Sequence, residues 1–507
     1  MFSSQRSKGG KLAFAIIAAI LLFAMLSWLL YFGVTGDLLP RGNTIRNKDS
    51  YTMTAEKLLA KRNDVVATMG DYHLTNGQLM IFYTFQVQEY TDNFSDQINP
   101  YLPLDQQIYD QTTGLTWQHF FLECALNAWK QYRILATKAE EAGFVMAQED
   151  RDYLDGLPEY YAKLAEQNNY ESVDALVQDE LGEGCYFDEY LYFMELYYTG
   201  LLYVNDIVEK LEFSPEQLEA YFAEHEADLK AAGVTKDTGL LVDLRRITLQ
   251  PGSESDTPTE EKWEACRLEL EALLQQWLDA GKTDAKFAEL ATNHSKDTYK
   301  SNGGVLTNVY KDYFTKVDIR HILIMPEGGT TTNGVTTYSE EEWEACRQKA
   351  QAIYDTYLSG KKTEDRFSQL AKEHSKDGNA EQGGIYKDVS KNTMVEEFDA
   401  WIFDASRKPG DTGLVKTQYG YHVMYFVHRD SALNDWLYDE ERVEGDYALI
   451  RTDDSYILAS FIASEEAWIR FSTSGLRSDK FDILLEELSA GGEISTKYWK
   501  IGLGSLV

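Results

Sequence analysis

Histidine and cysteine are the residues best suited to catalysis in this chain, and they are few: eight and four among 507 residues. Cys124, Cys185, Cys266 and Cys346 fit no metal-ligand spacing, so no metal site is expected. Cys266 and Cys346 each follow a tryptophan, Trp263 or Trp343, by three residues, on what should be the buried face of a helix. They read as buried free thiols, with one or two disulfides as the alternative. No nucleophile elbow and no paired Cys/His constellation is present, which leaves hydrolysis without its nucleophile. His321 follows Arg320 at the head of the apolar strand Ile322 to Ile324, and His422 lies in the β-rich run "YHVMYFV". Taken singly, each reads as a satisfied core histidine. Asp377 closes the stretch "HSKD", where a turn or cap role competes with a chemical one. Met394 and Phe398, one helical turn apart, are equally compatible with plain core.

The elements around these residues are duplicated. "TEEKWEACR" from Thr259 returns as "SEEEWEACR" from Ser339, and "KTDAKFAELATNHSKD" from Lys282 returns as "KTEDRFSQLAKEHSKD" from Lys362, at a constant offset of 80. "VDLRRITL" from Val242 answers "VDIRHILI" from Val317. The first copy stops after Gly304, and its missing half follows the second: "WLYDEERVEGDYALIRTDDSYILASF" from Trp436 matches "WIFDASRKPGDTGLVKTQYGYHVMYF" from Trp401 at an offset of 35. The simplest reading is one domain inserted in its own duplicate, with an outer copy of 241–315 plus 431–465 around an inner copy of 316–430. Each copy reads as strand, helix, helix, turn, helix and strand, a small α+β domain in which Leu244 to Leu249 should share a sheet with Tyr456 to Phe461.

Residues 54–240 read as mostly helical and are expected to be completed by 466–507. "VVATMGDYHLT" opens this region, Thr75 with Gln78 forms a capping box, and Trp117, Phe121, Cys124, Ala128 and Tyr132 recur at helical spacing as core. Before it, Leu12–Val34 is an uncharged apolar run long enough to cross a hydrocarbon core of about 30 Å. Arg6, Lys8 and Lys11 precede it, so residues 1–11 are expected in the cytoplasm and the body outside, at the cell membrane. A cleaved signal peptide is the alternative, disfavoured by the length of the run and the lack of a small-x-small site. With 83 acidic against 48 basic side chains the net charge is −35, which repels phosphate backbones and argues against a nucleic-acid partner.

The inner copy resembles the parvulin family of peptidyl-prolyl isomerases along its full length, through "RHILI", "FSQLAKEHSKD", "GGIY", "MVEEF", "KPGDTG" and "TQYGYHVMYF". With a helical segment and a membrane-targeting run before it, the chain is similar to PrsA/SurA-type extracytoplasmic foldases. The resemblance implies an α+β fold and prolyl cis/trans isomerisation without a cofactor. It makes His321, Asp377 and His422 catalytic, and Ile385, Met394, Phe398, Thr417 and Tyr419 substrate-binding. It also implies unfolded, proline-containing secreted polypeptides as partners and leaves a homodimer open. The outer copy departs from the pattern, with Arg246 in place of His321 and Ile457 in place of His422, and reads as an inactive scaffold or peptide-binding surface. The alternative for the whole chain is a non-catalytic holdase or assembly factor that uses parvulin folds only for binding.

Overall fold

Alternating burial makes "KVDIRHILI" a strand, and in the computed structural model it runs Lys316–Ile324. The structure describes residues 50–93, 97–252, 258–332 and 335–505. The apolar run Leu12–Val34 lies outside the described residues. Among those described, no helix is long and apolar enough to cross a membrane. Helix and sheet are mixed, in two units: the described residues up to Tyr221 together with those from Thr473, and Phe222–Ser472.

In the first unit, Val65–Met69 pairs antiparallel with both Tyr72–Thr75 and Ser495–Thr496. The amide of Thr75 donates to Gln78 Oε1 and that of Gln78 to Thr75 Oγ1, closing the capping box that opens Asn76–Asn93. The side chain of Asn76 exchanges hydrogen bonds with Gly502 backbone, so the C-terminal segment is fastened to this helix. Asn76–Asn93, Trp117–Glu141 and Phe187–Glu209 pack around an aromatic core that includes Phe82, Tyr83, Phe121, Trp129, Phe193 and Tyr197.

The second unit holds two four-stranded antiparallel sheets of the same order. One runs Ile385–Ser390, Lys316–Ile324, Gly420–Asp430, Thr412–Thr417, and is called inner because all its strands lie between 316 and 430. The outer sheet runs Val305–Tyr310, Leu240–Leu249, Tyr456–Glu466, Tyr447–Arg451, its strands drawn from both sides of the inner one. Leu244 stands opposite Phe461 and Leu249 opposite Tyr456, so the two runs that the repeat assigns to one sheet are neighbours. The unit boundaries fall at 221 and 472. In the second unit, Val234, Leu241 and Ala467 form a small core with Leu229, Tyr310 and Trp468.

Each sheet is covered differently on its two faces. On one face of the inner sheet, Ile322, Ile324, Val423 and Tyr425 pack against Cys346, Ala350, Tyr357, Phe367 and Leu370 of helices Glu340–Ser359 and Glu364–His374. On the other, Val317, Ile319, Met424 and Phe426 meet Phe398 and Ile402 of the short helix Glu396–Ile402. Ser339 and Glu342 cap the first of these helices reciprocally. The four cysteines are buried free thiols.

Candidate active site

Period-two alternation puts His321 on the same face as Ile319, and His422 on the same face as Met424, the face covered by the short helix. His422 pairs in register with Leu323 and His321 with Met424, so the two imidazoles sit diagonally across adjacent strands. Both are almost fully buried, and their Nδ1 atoms are 2.9 Å apart. Phe398 meets both rings edge-on, with centroids 5.2 and 5.3 Å away. The helix carrying Phe398 therefore closes the apolar side of the pair.

Asp377 reaches the pair through the "HSKD" turn. Lys376 donates its amide to Leu323 O, and Leu323 donates its own to Ser375 Oγ, which pins the turn to the strand carrying His321. Asp377 Oδ2 then lies 3.5 Å from His321 Nε2, at the outer edge of hydrogen-bonding distance. The same oxygen accepts from the Asn379 amide at 3.2 Å and the Tyr386 hydroxyl at 3.0 Å. The turn role and the chemical role thus coincide in one carboxylate. At the far end, Thr417 Oγ1 is 2.8 Å from His422 Nε2 and accepts from the Tyr419 amide.

These contacts favour one placement of the protons. The Tyr419 amide occupies an acceptor site on Thr417 Oγ1, and the hydroxyl is free to donate to His422 Nε2. His422 then carries its proton on Nδ1 and donates it to His321 Nδ1, leaving His321 protonated on Nε2, toward Asp377. The reverse direction would turn a lone pair of His321 toward the carboxylate, so it is the poorer arrangement. Burial, with the neighbouring His321 second, pushes His422 down to about 4 and keeps it neutral at physiological pH. Hydrogen bonding with His321, against a smaller effect of burial, lowers Asp377 to about 2, so it is ionised. The site is a buried, hydrogen-bonded pair of imidazoles with an anion at one end and a hydroxyl at the other.

The structure brings His321, Asp377, His422, Thr417 and Phe398 together. Met394 packs half-buried on the same core, and Tyr419 is held to Thr417 by its amide with its side chain about half exposed. Ile385 is a correction. It pairs with Arg320, whose side chain bonds Glu364 on the opposite face, while the next residue, Tyr386, pairs with Ile319 and faces His321 with ring centroids 5.3 Å apart. A register shift between Tyr386 and Val389 marks a bulge on this strand. Tyr386 is the residue missed in the sequence, and period two counted from His321 across the pairing would have found it. Gly384 fixes this register: at φ +71° its amide oxygen accepts from the His321 amide, and a Cβ there would lie 2.2 Å from His321 O.

Such a site has no nucleophile poised against a carbonyl. It can bind a proline ring against apolar side chains and offer oriented polar groups to an amide losing resonance, whose rotation barrier is roughly 18–20 kcal/mol.

Residues 321–428 match the family described as rotamase, PPIC-type PPIase domain. This segment is a parvulin-type domain. The Campylobacter jejuni protein carrying the name peptidyl-prolyl cis-trans isomerase Cbf2 is 28% identical over 165 residues, which span 30% of this chain and 60% of that protein. Among solved structures, PrsA from Bacillus subtilis aligns over 75% of this chain and 87% of its own, at 13% identity and a TM-score of 0.16. A structure reported with the SurA-like chaperones of Campylobacter jejuni aligns over 54% and 91%, at 18% identity and a TM-score of 0.18.

Proposed function

We propose that the chain is a peptidyl-prolyl cis/trans isomerase and foldase for secreted or cell-surface polypeptides, with its catalytic centre at the inner sheet. The observation that carries this reading is the buried histidine pair, its Nδ1 atoms 2.9 Å apart, between the Asp377 carboxylate and the Thr417 hydroxyl. The proline ring of an extended client lies against Phe398 and Met394, and the preceding carbonyl swings past the imidazoles. A fixed polar network stabilises the twisted amide more than the planar one, and that difference lowers the barrier. The architecture is read as a membrane helix, a helical chaperone-like domain and two parvulin-like domains, one inserted in the other. The positively flanked run Leu12–Val34 supports a single membrane anchor with the body outside the cytoplasm. Clients are unfolded, proline-containing chains, and a homodimer is compatible with the resemblance.

The test is acceleration of cis/trans exchange in a Xaa-Pro peptide by the full chain, run beside a client-aggregation assay. Uncatalysed exchange takes tens to hundreds of seconds. Suppression of aggregation with no acceleration would replace the isomerase by a holdase. Protease added to wall-stripped cells should digest the body, and a soluble form lacking residues 1–34 would remove the anchor.

A further inference from the structure

Tyr386 holds a position that the chemistry of the pair leaves unexplained. Its strand neighbours alternate with it, and an apolar side chain would suffice to pack against Ile319 and Phe398. Instead it carries a hydroxyl that bonds Asp377 Oδ2 at 3.0 Å, with its ring tilted against His321. Asp377 sits on a turn, and the amide of Asn379 is its other donor to the same oxygen. His321 Nε2 is 3.5 Å away and has no nearer partner among the described residues. That contact alone is too long to hold a carboxylate that is partly open to water. A tyrosine hydroxyl fixed in a packed ring is the rigid tether that keeps this oxygen facing the imidazole.

We infer that Tyr386 is a positioning residue, which acts through Asp377 to hold His321 in its Nε2–H tautomer and thereby sets the direction of the whole proton chain. The inference rests on the isomerase reading for its kinetic consequence, but the tautomer it predicts is independent of activity. In this chain the pair is therefore supported by a four-part run, Tyr386, Asp377, His321 and His422, that ends at Thr417. Burial, and then the neighbouring carboxylate, push the Tyr386 hydroxyl up to about 12, so it remains a donor across the working pH range.

Tyr386→Phe keeps the ring and deletes only the hydroxyl. In the full chain labelled with 15N-histidine, the unmodified protein should show His321 protonated on Nε2 and His422 on Nδ1, each as one tautomer. Tyr386→Phe should give averaged nitrogen shifts at His321 and a fall in kcat/KM of about three- to tenfold, with KM little changed. Because the hydroxyl acts through the carboxylate, Tyr386→Phe added to Asp377→Asn should cost nothing further. Unchanged tautomers in Tyr386→Phe, or fully additive losses in the double variant, would overturn the inference and leave the isomerase reading standing. An unmodified protein that does not accelerate exchange would overturn the isomerase reading, and the nitrogen shifts would still decide the role of Tyr386.

Discussion

The inner and outer sheets share strand order and much of their local bonding, yet the same place in each is filled by opposite electrostatic solutions. In the inner sheet, two hydrogen-bonded imidazoles stand beside one anion. In the outer sheet, Arg246 takes the place of His321 and its Nε lies 2.8 Å from Asp297, the counterpart of Asp377. Asp297 also accepts from Thr248, Ser295 and the Tyr299 amide. The guanidinium is flanked by Tyr299 and Phe314, with its carbon about 5 Å from each ring centroid. Ile457 and Leu433 stand where His422 and Phe398 do, and both are core. The supporting frame is kept even so: the Gly304 oxygen accepts from Arg246 as Gly384 does from His321, and Asn434 accepts from Asp312 as Asp399 does from Asn392. One scaffold thus holds either a hydrogen-bonded imidazole pair beside a carboxylate or a buried guanidinium beside a carboxylate.

The comparison breaks most visibly at the ion pair. Arg246→Ala leaves Asp297 largely buried without its cation, and the loss should be about 3–5 kcal/mol of unfolding free energy. Urea unfolding reads this, and prolyl isomerisation measured on the surviving folded fraction should be unchanged. A parallel loss of catalysis would show that the outer site takes part in the reaction. His422→Ala should do the reverse, lowering kcat/KM about a hundredfold, roughly 2.7 kcal/mol of transition-state stabilisation, with a smaller effect on the unfolding midpoint. Equal activity in His422→Ala and the unmodified protein would empty the inner site of its role.

Acid should also separate the sheets. His422 titrates near 4 in the folded protein, against 6.5 for an unburied histidine, mainly because burial penalises its charge. Between these values the unfolded chain binds more protons than the folded one, so stability rises with pH through this window. The contribution is complete above about 6.5 and is lost as pH falls toward 4, on the order of 2 kcal/mol once coupling to His321 is allowed for. Urea midpoints at pH 7 and pH 4.5 should differ by this amount more in the unmodified protein than in His422→Leu. Ile457 gives the outer sheet no such slope at the matching position, and identical pH dependence in both proteins would mean that His422 is not kept neutral by the fold.

Much of this was legible in the sequence because repeats carry topology. Matching "VDLRRITL" to "VDIRHILI" and Trp436 to Trp401 was enough to put Leu244 and Phe461 in one sheet across more than two hundred residues. The histidines, Asp377, Thr417 and Phe398 were legible for the same reason, as side chains read against a family pattern. What failed was a single-residue register. Ile385 and Tyr386 are adjacent and both apolar in bulk, and only the pairing opposite Ile319, next to a bulge, decides which one faces the site. The fastening of Ser495–Thr496 to Val65–Met69 was out of reach as well, since two-residue strands have no periodicity to detect. Val234 and Ala467 look like parts of helical segments until the core they share with Leu241 is seen.

The smallest expected effect concerns the contact between the two sheets' loops. His428, near the end of Gly420–Asp430, lies 2.8 Å from Asp453 Oδ2, in the turn following Tyr447–Arg451, and both side chains are about half exposed. A contact so placed is open to water and salt and contributes at most about 1 kcal/mol. Here the gain is reduced further, because Asp453 also adds charge beside Asp430. Burial, together with Asp453 and Asp454, already holds that carboxyl above its usual range. Asp453→Asn removes an attraction to His428 and a repulsion from Asp430 together, while the backbone bond from the residue 453 amide to Asp430 Oδ2 can persist. The two changes have opposite signs, so the unfolding midpoint should move by less than about 1 kcal/mol in free energy, and less again at 1 M salt. The sheets should therefore be coupled by their shared chain crossings at 315–316 and 430–431, where Lys316 and Asp430 are paired, and not by this bridge. A loss above about 2 kcal/mol in Asp453→Asn, or an unfolding curve that splits into two transitions, would make the bridge the joint between the inner and the outer sheet.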